Sequence, residues 1–192
     1  MMPNRLRAWG ALVQSLFVMH RDGRQRKAHA AYMAMRLAVI LEAHTAACLE
    51  FIGRNDAEQP HPTGRFTGGV VLPLVEPYPD DAEGWRAIDR GLAGRCLGLP
   101  LKIRANQVAI GWTGVFDDDD WENVGDIVKE MASSRGLDAW ELAKAIRSKH
   151  NIEKADKALD YSDQLTANLE KAQQAKANQR ERRRRFQAPL AG

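Results

Sequence analysis

The chain has 192 residues, 44% of them hydrophobic and 28% charged, which suits one domain with appendages or at most two small ones. Its net charge of +3 conceals an asymmetry: residues 1–27 carry +5 and residues 171–192 carry +6, leaving −8 for residues 28–170. The N-terminal ALVQSLFVM run is too short to span a bilayer and is broken by Gln14 and Ser15, so no signal peptide, no membrane partner and a cytoplasmic location are expected.

Asn4 can cap a first helix over about 4–20, in which Leu6, Trp9, Val13, Leu16 and Phe17 recur at helical spacing. Gly10 weakens it by roughly 1 kcal/mol. Arg21-Asp22-Gly23 predicts a turn, and a short connection favours an antiparallel second helix. That helix, AHAAYMAMRLAVILEAHTAACLEFIGR, is, up to Gly53, part of the longest run free of Gly and Pro before the acidic middle. It gathers Met33, Leu37, Ile40, Leu41, Cys48, Phe51 and Ile52 on one face. Met35, Val39, Ala43, Ala46 and Leu49 make the other side apolar too, so the helix near 27–53 is expected to be central and buried on all sides.

Residues 53–81 hold four glycines and five prolines and predict an irregular connection, 53–80. Its GGVVLPLV fragment reads as an edge strand or an extended crossing, because Pro73 cannot donate to a ladder. A third helix is expected over 81–97, with Trp85, Ile88, Leu92 and Cys96 as its stripe and Leu99-Pro100 as its end. Alternation of Leu101/Ile103 and Val108/Ile110/Trp112 fits a short β-hairpin near 101–112, and a short helix from Asn106 fits as well. Helices over 119–135 and 138–150 then form an αα-hairpin, the first ended by Arg135-Gly136 and the second opened by the capping-box spacing of Asp138 and Glu141. A long basic helix follows. Its first half carries Ile152, Leu159, Leu165 and Leu169, and its second half has nothing large to bury.

The expected fold is mainly α: a helical bundle over 1–150, with 151–192 as an extended C-terminal helix and solvated basic tail.

Side chains that carry chemistry are sparse. Asp117 to Asp120 read as charges favoured by a helix N-terminus, since adjacent carboxylates cannot all reach one cation. His44 reads as a neutral core histidine, and Cys48 and Cys96 as buried free thiols. The five histidines and two cysteines have no metal-ligand spacing, so neither metal nor cofactor is expected. Lys176, Arg180, Arg182, Arg183, Arg184 and Arg185 can neutralise phosphates and form the candidate contact for RNA or DNA. With only Phe186 beside them, base stacking is not indicated.

Arg54-Asn55 followed by His61 gives Arg-Asn-x5-His, directly after the apolar helix with its embedded Leu41-Glu42-Ala43. Over these thirty-five or so residues the chain resembles HEPN-type helical bundles, many of them ribonucleases of toxin–antitoxin and defence systems. The resemblance implies that Arg54 and His61 are catalytic, holding the scissile phosphate and assisting attack by the 2′-hydroxyl, usually across two protomers. The chemistry suits the residues: Arg binds phosphate bidentately and His moves a proton near neutral pH. Three functional classes follow: a non-enzymatic interaction or scaffold module, self-associating through the C-terminal helix; a nucleic-acid binder using its basic ends; and a HEPN-like, metal-independent endoribonuclease.

Overall fold

The computed structural model describes residues 3–57, 70–116 and 121–187. Five α-helices account for most of them: α1 (Pro3–Ala57), α2 (Ala82–Ala87), α3 (Arg90–Phe116), α4 (Trp121–Lys149) and α5 (Ser162–Gln187), with a 3₁₀ turn at Lys157–Leu159. The mainly α bundle expected from the sequence is what forms, and no strand occurs among the described residues.

The helices are fewer than local signals imply and most are longer, but the C-terminal one, expected from 151, starts only at Ser162, after the chain leaves α4 at Asn151 and passes a 3₁₀ turn. No turn forms at Arg21-Asp22-Gly23; α1 is one rod of 55 residues, about 80 Å at the usual rise. Gly23 disfavours a helix by only about 1 kcal/mol, too little to break a rod with no proline inside it after Pro3. Residues 101–112 form neither the short β-hairpin nor a helix begun at Asn106; they continue α3 without a break. Pro100 does not end that helix. It lacks the N–H that would bond the Cys96 carbonyl, and the Tyr78 hydroxyl donates to that carbonyl instead, at 3.0 Å. The helix expected over 81–97 breaks at Ile88-Asp89. Asp81 caps α2 by accepting from the Gly84 N–H at 2.9 Å, and Asp89 caps α3 through the N–H groups of Gly91 and Leu92.

The αα-hairpin is likewise a single helix, α4. Gly136 does not terminate it but admits its neighbours: a side chain there would lie 2.9 Å from a Leu165 methyl of α5 and 3.1 Å from Cys48 Cβ of α1. Asp138 pairs with Arg135 at 2.9 Å and Lys102 at 3.2 Å instead of capping. The true end comes at Asn151, whose φ of 52° is the left-handed conformation that suits Asn. The Ile152 N–H then bonds the Arg147 carbonyl and the Asn151 N–H bonds that of Ser148, closing a Schellman turn.

The helix in the middle is α4, packed by α1, α3 and α5, with α2 on α1. Met33, Leu37 and Leu41 of α1 meet the core formed with Val128, Leu142 and Ile146 of α4 and Leu99 and Ile103 of α3. Each large side chain buried there contributes roughly 1.5–3 kcal/mol. The enclosure of α1 on all sides is corrected: its inner face is dry, but Tyr32, Met35 and Val39 remain 55%, 44% and 52% exposed. Residues 70–80 cross beside α3 in extended form. The Gln107 amide holds them, donating to the Val70 carbonyl at 2.6 Å and accepting from the Leu72 N–H at 2.8 Å. Of the two sequence readings for this fragment, the extended crossing is the one that forms.

Candidate functional site

Arg54 lies in the last turn of α1, exposed and 3.7 Å from Glu50 one turn earlier. His61 lies outside the described residues, as do Asp117 to Asp120. The buried partner of the embedded Leu41-Glu42-Ala43 is a different arginine. Arg147 of α4 donates through Nε and Nη2 to the two carboxylate oxygens of Glu42, at 2.6 and 2.9 Å, and through Nη1 to the Glu153 carbonyl. Both side chains are nearly buried, and the Glu42 carboxylate raises the Arg147 pKa further. With both carboxylate oxygens and the guanidinium fork engaged, this pair is a clamp between α1 and α4.

The candidate nucleic-acid residues divide into two groups. Lys176 reaches Glu130 of α4 at 2.9 Å and helps seat α5, whose Leu165 and Ala172 are buried. Beyond it, Arg180 and Arg182 to Arg185 occupy the last turns of α5 and are exposed, with Arg185 3.1 Å from Glu181. Cations at a helix C-terminus are favoured by the helix dipole. The α5 residues expected to carry self-association are thus partly used within the chain, against α4.

His44 is buried with its Nε2 3.5 Å from Cys48 Sγ, and the Leu74 backbone approaches the ring without a well-aligned hydrogen bond to Nδ1. Burial lowers its pKa to about 4, so the ring is neutral. Burial also pushes the Cys48 thiol up to about 12 and Cys96 to about 11, so both free thiols are protonated and poorly nucleophilic. No cluster able to hold a metal ion occurs among the described residues.

One pairing had no local signal in the sequence. His29 Nε2 of α1 stands 2.9 Å from Asp81 Oδ2, although its N–H direction is off the line of a hydrogen bond. The pair sits beside an open cleft of about 830 Å³ lined by Arg26, Lys27, Glu83 and Arg86. Asp81 also caps α2, and the Gly84 N–H foremost holds its carboxyl below the usual range. Asp81 was legible as a helix start; His29, fifty-two residues away, was not legible as its partner.

Among the described residues, the surface carries two apolar strips. Along α3, Leu97, Leu101 and Val108 are each more than half exposed, as are Val71 and Leu74 on the crossing segment. Gln107 and Tyr78 fix that segment antiparallel to α3, which sets Val71 and Leu74 alongside the same helix. The other strip is the outer face of α1. No described helix is long and apolar enough to cross a membrane. No family model, curated protein or solved structure matches the chain.

Proposed function

We propose that this chain is a non-enzymatic helical interaction module that binds proteins through its apolar outer strips. The observation that carries the reading is the row Leu97, Leu101 and Val108 along α3, together with Val71 and Leu74 exposed on the segment that crosses that helix. A helix that packs on one side ordinarily shows polar residues on the other, and clustered apolar side chains at a surface mark contact sites. Covering each would contribute up to roughly 1.5–3 kcal/mol to association. In a chain carrying Leu97→Asp with Leu101→Asp, thermal unfolding should be unchanged while proteins captured from a cell extract by the wild type are lost. Unchanged capture would contradict the reading.

A second reading is supported by the exposed arginines closing α5, joined by Arg24, Arg26 and Lys27 exposed on α1: non-specific binding of RNA or DNA. The ribonuclease reading of Arg54 and His61 rests on the sequence resemblance. RNA cleaved by the wild type but not by His61→Ala would support it and displace the non-enzymatic one.

A further inference from the structure

We infer that the outer face of α1 binds a second copy of this chain, antiparallel, with a two-fold axis passing Ala43. This rests on the interaction-module reading and names the occupant of one of its strips. Tyr32, Met35 and Val39 are roughly half exposed, and Ala43 beside them is exposed and small enough for two helix backbones to approach closely. At 100° per residue Tyr32, Arg36, Val39, Ala43, Glu50 and Arg54 fall on the outward side, opposite Leu37, Leu41 and Cys48 of the core.

The charges on this face are complementary to themselves in one orientation. Arg36 stands seven residues before Ala43 and Glu50 seven after it, so in an antiparallel pair each Arg36 meets the Glu50 of the partner subunit. Tyr32 and Arg54 are also equidistant from Ala43, which brings a guanidinium to a ring at each end. A parallel pair would oppose Arg36 to its own copy and Glu50 to its own copy, which is repulsive. Within one chain Arg36 lies 5.8 Å over the Tyr32 ring, and Glu50 holds Arg54 only at 3.7 Å, so all four side chains already lie along this strip. From Tyr32 to Arg54 the contact runs about 33 Å.

Sedimentation equilibrium of the full chain should give a mass twice the 21.5 kDa of one chain, and Ala43→Glu, at an exposed helical position, should return the monomer with unchanged helicity. Arg36→Glu alone or Glu50→Arg alone should weaken the dimer roughly tenfold, and the two together should restore it. Mild oxidation of Ala43→Cys should give a disulfide-linked dimer, since Cys48 and Cys96 are buried, while Val39→Cys should not link. Linking at position 39, or no rescue by the double reversal, would overturn the antiparallel register. A monomeric wild type would overturn the proposal. If Val39 then cross-linked to a different protein the interaction-module reading would stand, and if the α3 strip bound nothing either, both would fall.

Discussion

Arg147 grips both carboxylate oxygens of Glu42 across 105 residues of sequence, at 2.6 and 2.9 Å, and so ties the last turn of α4 to the middle of α1. Removing one partner leaves a nearly buried charge without its counterion. Glu42→Ala or Arg147→Ala should each destabilise the chain by about 3 kcal/mol in urea unfolding. The double replacement should cost well below their sum, because the two changes remove one shared interaction. Additive losses would show that the pair is not coupled.

The Tyr78 hydroxyl repairs the carbonyl that Pro100 leaves without a donor. Tyr78→Phe should therefore cost about 1–3 kcal/mol. In a Pro100→Ala background the helix regains its own N–H for Cys96, and the same replacement should cost much less. Equal costs in both backgrounds would refute the repair.

These two contacts show what the sequence could and could not convey. Helical periodicity marked the buried side of α1 correctly at Met33, Leu37, Leu41, Cys48 and Ile52. It also read Met35 and Val39 as core, since apolar character does not reveal whether a face is covered by its own chain, by another, or by neither. Gly23, Pro100 and Gly136 were read as helix ends. A glycine disfavours a helix by only about 1 kcal/mol, and the Tyr78 hydroxyl or the contacts of Gly136 with Cys48 and Leu165 outweigh such local preferences. Partners such as Glu42 and Arg147, or His29 and Asp81, are created by the docking of helices and leave no spacing pattern. The basic end of α5 was legible because charge composition alone defines it.

His44 couples folding to acid. Its pKa falls from 6.5 to about 4 on burial, so below pH 6.5 the unfolded chain binds more protons than the folded one. Its contribution makes stability fall as pH drops from about 6.5 to about 4, by up to roughly 3 kcal/mol. His44→Leu should remove that part of the slope, which a comparison of urea unfolding curves at pH 7 and pH 4.5 would measure. Identical pH dependence in the two chains would contradict the neutral buried imidazole.

The exposed arginines of α5 should give any RNA or DNA binding a steep salt dependence. Replacing Arg180, Arg182, Arg184 and Arg185 by alanine should lower the slope of log affinity against log salt by roughly three, at unchanged thermal stability. Electrophoretic retardation of generic single-stranded RNA across a salt series would check it. Retardation insensitive to these changes would place any such binding elsewhere.

An interaction module has its apolar strips covered when the chain is at work. A photo-reactive phenylalanine analogue placed at Val39, at Leu101 and, as a polar control, at Glu141 would report this by irradiation in cells. Inter-chain adducts from Val39 and Leu101 but not from Glu141 are the predicted result; adducts from none of the three, or equally from all, would contradict it.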